Sequence, residues 1–91
     1  MAIIYSPPSP SALAKLKSKL QATSNEMAIL FGSSEGRTWR KYTGGERVVS
    51  VQILFFAMAQ LELTPEEIER VLNRMRAAGA QVEISPPSSQ D

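Results

Sequence analysis

The sequence predicts an all-α fold, a compact domain of five helices. Apolar residues recur at intervals of three and four over most of residues 10–77, which is the period of helices that bury one face. Serine or threonine precedes three of these runs, where a hydroxyl can cap the start of a helix. Glycine follows several runs at the point where a helix would end. These three observations together predict the fold class.

The composition limits the organisation of the chain and its chemistry. With 91 residues, 43% of them apolar, it suits one small domain. We predict an extended arm over residues 1–8, the helical domain over residues 9–84 and a loose tail, rich in proline and serine, over residues 85–91. The absence of cysteine and histidine excludes disulfides, zinc-finger ligation and imidazole catalysis. Because no apolar run has membrane-spanning length and the start lacks a signal-peptide pattern, we expect a cytoplasmic protein with no membrane partner.

The first helix follows the proline-rich arm. Residues 2–5 are β-prone, and the prolines after them favour an extended chain. Ser9 followed by Pro10 is a good helix start, with serine as the cap and proline in the first turn. The helix then places three leucines on its apolar side and lysines on a separate face; the leucines are Leu13, Leu16 and Leu20.

The second helix begins at Thr23, where Glu26 three residues later completes the pattern of a capping box. Its inner face combines one small and three large apolar residues: Met27, Ala28, Leu30 and Phe31. Gly32 directly after them can adopt the left-handed conformation that ends a helix. We therefore predict a tight turn at Gly32 that leads into another helix.

The third helix, predicted over residues 34–43 and capped by Ser33 or Ser34, has an aromatic back and a cationic front. Trp39 and Tyr42 lie three residues apart on one face. We expect both to pack in the core, although Trp39 could instead stack on a base and the Tyr42 hydroxyl could reach a phosphate. The other face presents one serine and three cations: Ser34, Arg37, Arg40 and Lys41.

The last two helices are predicted over residues 48–63 and from residue 64 onward. The fourth is apolar on most faces, so we expect a central helix with a second copy of the chain covering what remains. The fifth begins with Thr-Pro-Glu-Glu at residues 64–67, which combines a cap, a proline and acids at the positive helix end, and it ends at Gly79. Residues 81–84 alternate polar and apolar like a short strand that could pair with residues 2–5 or with its counterpart in a dimer.

The central stretch from Met27 to Arg47 resembles the helix-turn-helix of the Cro and phage-repressor type, often called the XRE family. Ala28 lies four positions before Gly32, as in that family, and an apolar residue, an aromatic residue and a glycine then follow at intervals of three: Trp39, Tyr42 and Gly45. Each of these three comes one residue later than the usual count from Gly32. The turn is therefore longer by one residue, or the register is shifted. The resemblance implies a four- or five-helix domain that binds DNA.

The same resemblance implies roles for the polar residues of the second helix of the pair, which enters the major groove. Four residues near its start would reach base edges: Ser34, Glu35, Arg37 and Thr38. An arginine there would pair with guanine, and a glutamate would accept from cytosine. The remaining candidates would hold phosphates together with the backbone amides of Gly44 and Gly45; they are Arg40, Lys41 and Thr43. Because one helix reads few base pairs, we expect a homodimer on a two-fold repeated operator, with half-sites roughly 34 Å apart.

The distribution of charge along the chain indicates that nucleic acid would bind one side of the protein only. Residues 1–45 carry a net charge of +4 and residues 46–91 carry −3, which add to the total of +1. Arg74 and Arg76 fall near the end of the fifth helix, and we assign them to its negative dipole end rather than to DNA.

The predicted function is that of a sequence-specific double-stranded DNA-binding regulator. The resemblance implies a repressor of a phage, prophage or plasmid operon, or the antitoxin of a toxin pair. The alternative is a protein-interaction module that kept the fold and lost DNA, such as a phage-encoded inhibitor or adaptor. An enzyme is the least favoured class, since no nucleophile with a base, metal cluster or phosphate loop can be assembled. We predict no catalytic residue, metal ligand or cofactor.

Overall fold

A computed structural model of the protein describes residues 2–84 and contains five α-helices in that range. They are α1 (Pro10–Leu20), α2 (Ser24–Leu30), α3 (Gly36–Thr43), α4 (Val51–Glu62) and α5 (Pro65–Ala77). Within the same range no residue forms a strand, so the all-α prediction is confirmed. The predicted loose tail over residues 85–91 lies outside the described residues. The chain divides into two units, Met1–Ala57 and Met58–Asp91, and the boundary falls inside α4.

The predicted helix starts of α1, α2 and α5 are confirmed. The Ser9 hydroxyl accepts a backbone N–H of the first turn of α1 at 3.1 Å. Thr23 and Glu26 form a complete capping box at α2, with distances of 2.8 and 3.1 Å. Thr64 and Glu67 repeat it at α5 with the same two distances. Each cap satisfies backbone N–H groups that have no partner inside the helix.

The start of α3 differs from the prediction. The helix begins at Gly36, and Glu35 occupies the cap position without a side-chain capping hydrogen bond. The Ser33 hydroxyl instead accepts the Glu35 backbone N–H at 3.2 Å and donates to the Thr38 hydroxyl at 3.0 Å. The serine therefore builds the turn rather than capping the helix. The prediction of a serine-capped helix over residues 34–43 is wrong at its start.

The core of the first unit is aromatic. The rings of Phe31 and Trp39 lie 5.1 Å apart between centroids, in an edge-to-face arrangement. Tyr42 completes the cluster at 6.1 Å from Phe31 and 6.3 Å from Trp39. The predicted core packing of Trp39 and Tyr42 is confirmed, since their exposed fractions are 1% and 4%. Five further apolar residues of this unit are buried: Leu13, Met27, Ala28, Val49 and Ala57.

Helix α4 is not the buried central helix that the sequence predicts. It begins at Val51, three residues later than expected, and the Ser50 hydroxyl accepts a backbone N–H of its first turn at 3.2 Å. Ala57 is its one buried residue, and Phe55 is 69% exposed. Burial follows the side that carries the small alanine, so the larger apolar side chains on other sides point outward.

The predicted strand over residues 81–84 does not form, because an arginine side chain holds this segment. The Arg76 guanidinium donates to the Val82 carbonyl through two nitrogens, at 3.0 and 3.3 Å. It also donates to the Glu69 carboxylate and to the Asn73 side-chain oxygen, both at 2.7 Å. The prediction assigned Arg76 to the negative dipole end of α5 and did not foresee these contacts.

The partner strand predicted over residues 2–5 does not form either. The Tyr5 hydroxyl donates to the Val49 carbonyl at 2.7 Å, and this bond ties the N-terminal arm to the segment before α4. The predicted β pairing of the two ends is thus absent from residues 2–84. Over the same residues, none of the helices is both long and apolar enough to cross a membrane.

Candidate nucleic-acid interface

The connection between α2 and α3 spans residues 31–35 and is longer than the three or four residues usual in a helix-turn-helix. Phe31 directs its ring onto the α3 aromatics, and Gly32 takes the predicted left-handed conformation with φ of +86°. The Ser33 N–H donates to the Ala28 carbonyl at 2.8 Å, which closes the end of α2.

Gly36 fixes how closely α3 approaches α2, a role that the sequence did not reveal. The residue is buried at the first position of α3. A Cβ atom placed there would collide with the Asn25 side-chain oxygen and lie 3.3 Å from the Asn25 backbone nitrogen. A glycine at a helix start, which is otherwise a poor helix former, was the available signal. The close contact makes α2 and α3 a tightly packed pair.

Three cations form the basic face of α3: Arg37, Arg40 and Lys41. At about 100° per residue, they fall on the side of the helix opposite the buried Trp39 and Tyr42. Arg37 and Arg40 are exposed and Lys41 is half-buried. The aromatic core thus fixes the orientation of α3, and this orientation turns the cations outward.

Glu35 and Arg37, both predicted to reach base edges, are paired with each other. An Arg37 guanidinium nitrogen donates to the Glu35 carboxylate at 3.0 Å, and the two side chains are 59% and 70% exposed. An exposed pair of this kind contributes only about 0–1 kcal/mol. Both groups can therefore exchange this partner for another at little cost.

The hydroxyl candidates occupy three different situations. Ser34 is exposed in the turn before α3. Thr38 is half-buried and its hydroxyl accepts from Ser33. Thr43 is half-buried, and its hydroxyl donates to the Arg40 carbonyl at 3.3 Å. The structure therefore brings all seven predicted site residues onto α3 or the two residues before it, but only some of them face outward.

The predicted use of the Gly44 and Gly45 amides as phosphate donors is contradicted. The Gly44 N–H donates to the Arg40 carbonyl at 2.8 Å and the Gly45 N–H donates to the Tyr42 carbonyl at 3.3 Å. The next two N–H groups both donate to the Lys41 carbonyl, at 2.9 and 3.2 Å. Since these bonds satisfy the open carbonyls at the end of α3, the loop amides are already used.

Exposed apolar side chains also occur in each unit. In the first unit Phe55 is 69% exposed, and in the second the most exposed are Leu61, Val71 and Met75. Scattered exposed apolar residues are ordinary, but several within one small unit are typical of surfaces that bind another protein. No group of three or more acidic, cysteine or histidine residues in the range 2–84 is arranged to hold a metal ion.

The basic face can attract a polyanion. An α-helix has the width that the DNA major groove admits, and the buried aromatic core holds α3 with its basic face outward. The exposed apolar side chains of the second unit can bury area against protein. Family models, curated proteins and solved structures provide no match to this chain.

Proposed function

We propose that the protein is a sequence-specific double-stranded DNA-binding regulator that inserts α3 into the major groove. The observation that carries the proposal is the division of α3 between a buried aromatic side and an exposed basic side. Trp39 and Tyr42 anchor the helix, and Arg37 and Arg40 project from it. In the regulator class that the sequence resembles, such a protein represses a phage, prophage or plasmid operon and works in the cytoplasm.

Residues at the start of α3 read the bases. On binding, Arg37 exchanges Glu35 for the O6 and N7 atoms of a guanine, and Glu35 becomes free to accept from a cytosine amine. A good bidentate contact discriminates by about 1–3 kcal/mol, whereas the exposed Glu35–Arg37 pair is worth about 0–1 kcal/mol. The exchange is therefore favourable at a matching base pair and unfavourable elsewhere. Ser34 and Thr38 lie close enough in sequence to contact neighbouring bases.

Residues in the later part of α3 bind phosphates. Arg40 and Lys41 supply charge, and the Thr43 hydroxyl, which donates to the Arg40 carbonyl in the free protein, turns to donate to a phosphate oxygen on binding. The loop amides after α3 contribute nothing, because they are bonded within the protein. Each phosphate that is neutralised adds about 0.9 to the slope of log affinity against log salt. Binding should thus weaken steeply as salt is raised.

One copy of α3 reads only a few base pairs. Useful specificity then requires two copies on a two-fold repeated site, with half-sites about one turn of the double helix apart. We therefore include a homodimer in the proposed function.

The experiment that tests this function is a selection from random double-stranded DNA at physiological salt with the purified protein. We expect a two-fold repeated motif, and we expect the Arg37→Glu/Arg40→Glu variant to enrich none. Lys15→Glu/Lys19→Glu is the matched control, since it changes the charge equally at exposed positions on α1, and it should retain the motif. If the folded wild type enriches no motif, the proposal is wrong.

Single substitutions separate the two kinds of contact. Arg37→Ala should relax the preference at one position of the motif, with a change of about 1–3 kcal/mol. Lys41→Ala should weaken binding to all sequences equally and lower the salt slope by about 1. Equal effects of both substitutions on all sequences would mean that Arg37 reads no base.

A second candidate function, a protein-interaction module such as an inhibitor, adaptor or antitoxin, is favoured by the exposed apolar residues of α4 and α5. Such a module would keep its activity when Arg37 and Arg40 are reversed. It would lose activity when the exposed Phe55 or Val71 is replaced by aspartate. The two sets of variants therefore distinguish the two functions.

A further inference from the structure

We infer that α5 is a self-association surface that binds α5 of a second copy of the chain in antiparallel orientation. This interface would supply the second copy that the proposed DNA reading needs, but it does not depend on DNA binding. It rests on three properties of α5: one side that is open, the spacing of the residues along that side, and the distribution of their charges.

Two sides of α5 are already occupied. Leu72 is the buried residue of the helix. Another side carries Glu69 and Arg76, which form an ion pair, and the Arg76 guanidinium also binds the Val82 carbonyl. These contacts leave one side of the helix open.

The open side is a shallow depression that runs along the helix. Its lining residues include a seam with intervals of four, three, four and three: Leu63, Glu67, Arg70, Arg74 and Ala77. These intervals average 3.5 residues, which matches a coiled coil in spacing only, because three of the five seam residues are charged where a coiled coil has apolar residues. Val71, 53% exposed, lines the same depression beside the seam. The depression therefore has the period and the apolar contact that a second helix requires.

The charges select the occupant and its direction. Acids lie in the first turn of α5, at Glu66 and Glu67, and bases follow at Arg70 and Arg74. A parallel copy would set like charges opposite each other. An antiparallel copy sets the acidic end of one helix against the basic end of the other, twice in each dimer. Helix α5 is thus complementary to itself in this orientation.

The size of the surface predicts the strength of the dimer. At 1.5 Å per residue, a helix of 13 residues is about 20 Å long. Two such helices bury less than the roughly 1,600 Å² of a standard interface. The dimer should therefore be concentration-dependent in free solution.

Sedimentation equilibrium of the DNA-free protein from micromolar to millimolar concentration tests the inference. We expect reversible dimerisation in the wild type and none in Val71→Asp. Val48→Asp is the control, because Val48 is also an exposed valine, at 69%, and lies in the other unit, and it should dimerise normally. A wild type that stays monomeric throughout, or a Val71→Asp variant that dimerises like the wild type, overturns the inference.

A charge exchange tests the orientation. Glu66→Lys/Glu67→Lys and Arg70→Glu/Arg74→Glu should each weaken self-association by about tenfold, because each replaces opposite by like charges. This loss depends on the orientation, because a parallel wild-type pair would already set like charges opposite each other and would not be weakened. An equimolar mixture of the two variants should form a heterodimer, since a basic helix then faces an acidic one. Circular dichroism verifies that each variant is folded. If either is unfolded, the comparison of the two valine variants decides. Two folded variants that self-associate as tightly as the wild type overturn the antiparallel pairing.

These measurements contain no DNA. A dimer that selects no motif would leave the α5 surface standing and refute the proposed function. A monomer that selects a single half-site would refute the α5 surface and leave the DNA reading by α3 standing.

Discussion

Helices α1 to α3 bury many of their large apolar side chains, whereas α4 and α5 leave many of theirs exposed. In residues 10–43 the large apolar side chains converge, and Trp39 is 1% exposed. In residues 51–77 many of them point outward, and Ala57 and Leu72 are the buried residues of the two helices. The first region therefore presents polar and charged groups to its surroundings, whereas the second presents apolar ones.

The difference teaches which partner each region suits. The basic face of α3 is exposed because the aromatic side of the same helix is satisfied inside the protein. Its cations can then act on a polyanion without disturbing the fold. The exposed apolar side chains of α4 and α5 gain free energy only by leaving water against another surface. In the function proposed above, the first region binds DNA, and the second provides contacts to protein.

The largest effect that would sharpen this comparison is expected from Trp39→Ala. Loss of a buried tryptophan and its ring contacts should lower the free energy of unfolding by about 3–5 kcal/mol. The contrasting substitution Phe55→Ala, at a position 69% exposed, should change it by only about 0.5 kcal/mol. Urea denaturation followed by circular dichroism measures both. Equal losses would show that the two regions do not differ in packing.

Gly36→Ala should have the next largest effect. The added Cβ meets Asn25 where α3 approaches α2, and such overpacking costs about 1–3 kcal/mol. Asn25→Ala should relieve part of the loss, because it removes the side-chain collision and leaves the backbone nitrogen 3.3 Å away. A double-mutant cycle by thermal denaturation gives the coupling. Additive losses would show that the two residues do not meet.

Tyr5→Phe tests the attachment of the N-terminal arm. Removal of the 2.7 Å bond to the Val49 carbonyl should cost about 0.5–1.5 kcal/mol. Tyr42→Phe is the comparison, since no hydrogen bond of the Tyr42 hydroxyl is found within residues 2–84. That substitution should leave stability unchanged and report only on DNA affinity. Urea denaturation of both variants provides the measurement, and equal losses would argue against the arm contact.

The smallest expected effect is a pH dependence of α5. Hydrogen bonding from the Thr64 backbone N–H, then from its side chain, and the charge of Arg70 lower the pKa of Glu67 below its ordinary value. Because the folded pKa is the lower one, the stabilisation is present above the unfolded value, about 4.3, and is lost as the pH falls through the folded value. Helicity should therefore decline on acidification. The helicity of Glu67→Gln should decline less steeply than that of Glu66→Gln, because Glu66 lies outside the capping box. Identical acid titrations by circular dichroism would refute the contribution of the cap.

The signals that the sequence predicted correctly are local ones. Ser9, the Thr23–Glu26 box and the Thr64–Glu67 box act within four residues, so their patterns fix where a helix starts. The glycines after α2 and α5 act just as locally through their positive φ angles. The inward side of α3 was also predictable, because an aromatic pair at helical spacing indicates burial.

Specific partners that no local pattern singles out decided the rest. Ser33 was predicted as a helix cap, and its bonds to Glu35 and Thr38 place it in the turn instead. The strand pattern of residues 81–84 was overridden by Arg76, whose guanidinium reaches their backbone from the preceding helix. The amides of Gly44 and Gly45 were lost as phosphate donors to the carbonyls at the end of α3.

The sequence by itself determined five helices, most of their starts and the two-sided character of α3, because these follow from interactions along one turn of chain. Tertiary structure alone decided which apolar residues are buried, since α4 is apolar on nearly every side and its pattern does not single out one face. It also decided that Gly36 lies against Asn25 and that α5 keeps an open side. Burial depends on what a second element covers, and no local pattern contains that information.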